Sequence, residues 1–392
     1  MKPVRQKPPG RPLLMEWPLL LSIVTVALSF CFNGARFTAI PHRFLLAGST
    51  LWLITVVMLS AFAVVRHAEG LAVRLGEPFG TLVLTISVTG IEVMMITAAM
   101  STGHGQPALA RDAMFSVVMI VLNGMVGVVL LIGGLRYREQ TYNLQGINAF
   151  LSLIVPLAVL GLILPDFTSG APGPTISRFH AGFEIVISLG IYAVFLAIQT
   201  SLHRHYFVSA NDTGADQQAA PSHEEGEMLH GHTTVLSTPY HTFFLVGYLL
   251  PLVLLSKVVA HRMENVIQVL NAPLALGGFL LAVLVLSPES LTAVRAAWAN
   301  QLQRSLNVLL GSALATIALT IPAVLTVGLI TGQTIYLGVE APNMILLSLT
   351  LVVSILTFST PRTNILLGAV HLLLFLAYLM LIFEEPGNRL RL

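Results

Sequence analysis

Charge is what this chain has least of. Asp, Glu, Lys and Arg make up 10% of its 392 residues against 55% hydrophobic, and mean hydropathy is +0.83. So few charges cannot cover a soluble globule of this size, which leaves a polytopic membrane protein. Cysteine is reduced to Cys31, inside an apolar segment, which excludes an intrachain disulfide and any Cys-based zinc or redox motif. Net charge is +2 and no Lys/Arg cluster is interleaved with aromatics, so a nucleic-acid groove is excluded too. The sequence has no GxxxxGK[ST] loop, no HExxH, no paired intramembrane aspartates and no Ser/His constellation. These absences speak against an ATP-driven pump, an intramembrane enzyme and a bound cofactor, and leave an ion gradient as the energy source.

What the chain has in abundance is apolar runs. About 20 such residues cross a bilayer as a helix, and eleven runs of roughly that length centre on 17–34, 44–65, 79–101, 112–134, 147–165, 181–201, 240–259, 273–297, 305–330, 341–358 and 363–383. The basic start MKPVRQKPPGR precedes the first run, and no small-x-small cleavage site closes it at 33–39. An uncleaved first span is expected. With the N-terminus in the cytoplasm, 12 of the 20 Lys/Arg fall on the inner side, so the positive-inside rule favours N-in and, with an odd number of spans, C-out. One connection is long: the stretch from His203 to Pro239 holds five His and five acids and lacks apolar periodicity. It reads as a solvated cytoplasmic linker, or as a cation-collecting or regulatory loop.

The third and eighth spans align at a constant offset of 197, pairing Gly80 with Gly277 and Glu92 with Glu289. They enter from opposite faces, as in inverted repeats that build a substrate site near the midplane. An acid at the centre of a span costs about 2.5–3.5 kcal/mol and persists mainly where it meets a cavity or a partner. Desolvation disfavours an isolated charge, so such a group is neutralised by a proton or by a cation. Paired carboxylates with hydroxyls and carbonyls supply the hard oxygen ligands that calcium prefers. Glu92 and Glu289 are therefore the expected cation/proton ligands.

Helical spacing puts Thr81, Thr85, Thr89 and Glu92 on one face, Ser116 and Asn123 on another, and Ser312, Thr316 and Thr320 on a third. Of these, Thr85, Thr89, Ser116, Asn123, Ser312 and Thr316, with Ser287 beside Glu289, are the supporting candidates; hydroxyls in spans also commonly bond their own or a neighbouring helix. Pro288 opens a carbonyl near Leu284, either as an ion ligand or merely to bend the helix. Glu77 reads as an N-terminal helix charge, Arg111 and Asp112 as a mutual pair, and His371 as a packed neutral imidazole.

The stretches RHAEGLAVRLGEPFGTLVLTISVTGIEVMM, ARDAMFSVVMIV, LIGG, NAPLALGGFLLAVLVLSPESL, GSALATIALTIP and FSTPRTN together resemble the bacterial calcium/proton antiporters of the ChaA type, in the calcium/cation antiporter superfamily. The resemblance covers roughly 60–383. It implies an all-α integral membrane protein of the bacterial inner membrane, with eleven transmembrane helices: a leading helix (17–34) and two inverted five-helix repeats (44–201 and 240–383). An acid-rich cytoplasmic linker (202–239) joins the repeats, and tails at 1–16 and 384–392 flank them. It also implies export of calcium in exchange for protons, in contact with membrane lipids. In such antiporters each repeat supplies a glutamate from Gly-Asn-Ala-x-Glu. VTGIE (88–92) and VLSPE (285–289) keep the glutamate and lack the asparagine. GSALAT (311–316) lacks the glutamine of vacuolar relatives, with Thr316 beside that position. The alternatives are a sodium or potassium/proton antiporter and a passive cation channel.

Overall fold

The computed structural model describes residues 15–31, 43–76, 79–100, 108–168, 170, 175–208 and 236–384. Glu77, most of the two tails and most of the 202–239 linker lie outside the described residues. The described chain is helical: α1 (Trp17–Cys31), α2 (Arg43–Leu75), α3 (Phe79–Met100), α4 (Leu109–Tyr137), α5 (Leu144–Phe167), α6 (Arg178–Leu202), α7 (Thr238–Val269), α8 (Ala275–Trp298), α9 (Leu302–Thr331), α10 (Ala341–Thr357) and α11 (Ile365–Glu384). Eight are long and apolar enough to cross a membrane, and shorter apolar helices run over Trp17–Cys31, Leu82–Ala98 and Ala341–Thr357.

Hydrogen bonds between loops identify the two ends of the bundle. At one end, Tyr137 Oη donates to the Trp298 carbonyl (2.7 Å), Asn143 N to Gln303 Oε1 (2.6 Å) and Asn143 Nδ2 to the His205 carbonyl (3.2 Å). A two-residue antiparallel pair, β1 (Gln140–Thr141) with β2 (Arg362–Thr363), closes the same end. These strands amend an all-helical expectation, because turn backbone groups without helical partners satisfy each other. At the opposite end, Arg111 Nη1 donates to the Gly338 carbonyl (3.2 Å), Val339 N to the Leu162 carbonyl (2.9 Å), and Thr175 bridges Tyr336. We call these the Trp298 end and the Gly338 end.

Helices α4 and α9 are the most enclosed spans, while α6 and α11 are the least and present their apolar surface outward. Close approach in the core rests on glycine. A Cβ at Gly278 of α8 would lie 2.7 Å from Ala113 N in α4, and one at Gly368 of α11 would lie 2.7 Å from Leu131 N. Without a hydrophobic drive between helices in lipid, such small-residue contacts carry much of the association. Helix α8 runs unbroken through Pro288, where Ser287 Oγ donates to the Val283 carbonyl (2.6 Å) and Thr292 Oγ1 to the Pro288 carbonyl (3.0 Å). Side-chain hydroxyls thus support the backbone on either side of the missing donor.

Helices α2 and α7 have 33 and 32 residues, about 50 Å at the usual rise. That exceeds a hydrocarbon core of about 30 Å, so both run past the apolar run visible in sequence. Beyond residue 65, α2 carries Arg66, His67 and Glu69. There a polar cluster joins three helices. Glu16, 6% exposed at the entry to α1, accepts from Arg66 Nη2 (2.9 and 2.8 Å), Tyr240 Oη (2.7 Å) and Tyr248 Oη (2.9 Å), with His67 Nε2 at 3.2 Å. His67 Nδ1 lies 3.1 Å from His241 Nδ1, and a Cβ at Gly70 would strike the His241 ring. One carboxylate thereby holds the leading helix to both long helices. Replacing Glu16 with Ala strands two tyrosine hydroxyls and a guanidinium, a loss on the order of 3 kcal/mol. A clearly lowered melting temperature of the detergent-solubilised variant is expected, measured by heating followed by size-exclusion chromatography; an unchanged one would contradict this role.

Candidate cation-binding site

Glu92 lies in the second half of α3 and is 4% exposed. Its Oε2 accepts from Thr316 Oγ1 at 3.0 Å, whereas Oε1 is buried without a hydrogen-bond partner. Around it a small cavity is walled by Met95, Ala113, Val117, Leu281 and Val285, all apolar. From α8, Glu289 brings two more buried oxygens, neither with a partner. Leu281 and Val285, which line the cavity at Glu92, lie one to two turns before Glu289 on the same helix. Three of four carboxylate oxygens are thus buried and unpaired, a state that costs heavily unless a proton or cation completes it.

Local structure aims the donor. Thr316 opens a π-helical stretch, Thr316–Thr320, within α9. Such a bulge adds a residue to one turn and often marks a functional site. Thr320, four residues on, faces Glu92 too, and its Oγ1 is buried without a direct hydrogen bond.

The other predicted residues distribute unevenly. Thr85 interacts with Tyr192 of α6, Thr89 is buried, Ser312 is half-buried, and Ser287 bonds its own helix. Ser116 Oγ reaches the Asp112 carbonyl (2.5 Å) and Tyr378 Oη (2.6 Å). Asn123 Nδ2 donates to Thr350 Oγ1 (2.8 Å), and its Oδ1 lies 3.4 Å from His371 Nδ1, whose ring also meets Thr357 Oγ1 at 3.0 Å. Ser116 and Asn123 do share a face, and that face is engaged by α10 and α11. His371 is buried as expected, inside this network. The side chain of Thr81 lies outside the described residues.

Two acids escaped the reading of the sequence. Glu69 stands in α2, four residues beyond the apolar run that ends at 65, and a second span ending there leaves it out. Glu184 of α6 is 2% exposed and stands inside the apolar run FEIVISLG. The rule that singled out Glu92 applies to it equally.

Residues 45–201 and 240–384 match the sodium/calcium exchanger protein family. The chain belongs to that family, and so to the calcium/cation antiporters: it is an integral membrane ion exchanger rather than a catalyst. It is 39% identical over 368 residues to the sodium-potassium/proton antiporter ChaA of Escherichia coli (strain K12), covering 94% of this chain and 96% of that one. To the Ca(2+)/H(+) antiporter of Aphanothece halophytica it is 23% identical over 344 residues, 85% of this chain and 89% of that one. The fold is similar to that of native YfkE, with a TM-score of 0.69 at 15% identity over 95% of this chain and 99% of that one.

Thr316→Val keeps shape and removes the hydroxyl that faces Glu92. A hydrogen bond to a charged group is worth about 1.5–3 kcal/mol, so the cation concentration for half-maximal exchange is expected to rise roughly tenfold in reconstituted vesicles. An unchanged concentration dependence would mean that Thr316 is a packing residue.

Proposed function

We propose that this protein is a secondary antiporter that exports calcium from the cytoplasm in exchange for incoming protons, with Glu92 and Glu289 as one shared site. The observation carrying this reading is the pair of buried carboxylates with three unpartnered oxygens. Two carboxylates bear two negative charges, which one calcium ion or two protons cancel equally. Obligatory exchange follows if the neutralised forms change access readily and the bare, charged form does so poorly. Thr316 and Thr320 supply hydroxyl oxygens beside the pair, in keeping with calcium's preference for oxygen ligands.

In this reading all eleven helices span the bilayer: a leading helix (17–34) and two inverted repeats, 44–201 and 240–383, joined by a cytoplasmic linker at 202–239. The acids stand 197 positions apart, and the π-helical stretches of α4 and α9 begin at Ile120 and Thr316, 196 positions apart. Both spacings support the repeat. The Lys/Arg distribution supports a bacterial inner-membrane orientation with the N-terminus and the Trp298 end inside and the C-terminus outside. Alkaline phosphatase fused within 210–230 should then be inactive; an active fusion would reverse the topology.

A second reading, exchange of sodium or potassium for protons, is favoured by the 39% identity to the E. coli sodium-potassium/proton antiporter. Dissipation of a pH gradient in everted vesicles, with calcium, sodium and potassium added separately, decides between them. Response to calcium supports the first reading, and response to the monovalent ions alone the second. Glu92→Gln and Glu289→Gln remove the titratable charge while keeping size, and lower the cost of burial. Each should insert at normal levels and lose dissipation with every cation the wild type accepts. Exchange near the wild-type rate in either variant would remove that acid from the site.

A further inference from the structure

Glu184 of α6 is buried as deeply as Glu92 and plays no part in the pair above. Its side chain is 3% exposed. Helix α6 packs against α9, including the Thr316–Thr320 stretch, and against α5. Neither neighbour offers it a countercharge, for α5 has no ionisable residue over 144–165 and α9 none over 305–331. Among the described residues, the ion-pair partner beside it is His180, one turn earlier on the same helix, with Nε2 4.0 Å from Glu184 Oε2. Gly161 makes room: a Cβ there would lie 3.2 Å from Glu184 Oε1 and 2.8 Å from Ile321 Cδ1. Ile321 directly follows Thr320, whose free hydroxyl faces Glu92.

We propose that Glu184 is a proton-transfer residue, taking protons from His180 at the Gly338 end and passing them toward Glu92 by a route separate from that of the cation. This inference rests on the antiporter reading, under which the Gly338 end faces outside, where the incoming protons are. The surroundings suit a proton and not a metal. Calcium needs six to eight oxygen ligands, whereas Glu184 stands against glycine and isoleucine. A lone carboxylate without countercharge is tolerated in protonated form, and a permanent charge there would be uncompensated.

The transfer balances without any redox change. Imidazolium Nε2–H of His180 gives its proton to Glu184 Oε2, leaving neutral imidazole and carboxylic acid; side-chain rotation or one water spans the 4.0 Å gap. The acid then releases that proton toward Glu92 through the Thr320 hydroxyl, which accepts one proton and donates its own, and Glu184 returns to carboxylate. Ser177 Oγ accepts from His180 N at 3.2 Å and holds this first turn of α6, while the His180 side chain is 12% exposed.

Two transport modes measured on the same proteoliposomes test the route. Cation/proton exchange moves protons; isotopic cation self-exchange, with the cation the wild type accepts on both sides, does not. Glu184→Gln should slow the first at least about tenfold and leave the second within about twofold of wild type. Glu184→Asp should restore part of the lost rate, and His180→Gln should flatten the response of exchange to external pH. Loss of both modes in proportion would mark Glu184 as structural, and no loss in either would make it a bystander; both outcomes overturn the proposal. If Glu184→Gln fails to assemble, the same split between modes is required of Glu184→Asp and His180→Gln. A wild type that exchanges cations without moving protons would overturn the antiporter reading itself, and this inference with it.

Discussion

Everything at the centre of this protein depends on the cost of holding carboxylate oxygen away from water. Glu92 sits among Met95, Ala113, Val117, Leu281 and Val285, and three of the four oxygens that it and Glu289 supply are buried and unpaired. Such a pair is unstable alone and stable when its charge is cancelled. The helices around it are arranged to keep it so. Gly278 lets α8 approach α4 to backbone contact, and the π-helical turn of α9 brings Thr316 within a hydrogen bond of Glu92. Close packing excludes water, and excluded water is what makes the carboxylates demand a proton or a cation.

Much of this was legible in the sequence. An acid in an apolar run is conspicuous because few other things justify it, and Glu92 and Glu289 stand at matching places in their spans. Hydropathy also located the apolar body of each helix. It measures the thickness of lipid and not the length of a helix, however, so it stopped α2 at 65 when the helix continues to Leu75. Glu69 and the Arg66–His67 pair were lost in that overhang.

Periodicity had a different limit. It grouped Ser116 with Asn123 correctly, but a shared face does not say which neighbour covers it, and α10 and α11 turned out to do so. The polar network from Asn123 through His371 to Thr357 joins residues far apart in the chain, beyond the reach of any local rule. Glu16 is the extreme case. Beside a basic tail it reads as one more soluble charge, and nothing nearby announces that two tyrosines more than two hundred residues away bond to it.

That separation bears on how the molecule is made. Glu16 emerges from the ribosome first, Arg66 and His67 about 50 residues later, and Tyr240 and Tyr248 only after some 224 and 232. At a synthesis rate of about 5–20 residues per second, the wait for those tyrosines is on the order of 10 seconds or more. Throughout it two of the five contacts that Glu16 makes in the finished fold, those from the tyrosines, are still to come. Helix α1 therefore gains its full set of partners only when α7, the opening helix of the chain's second half, has arrived.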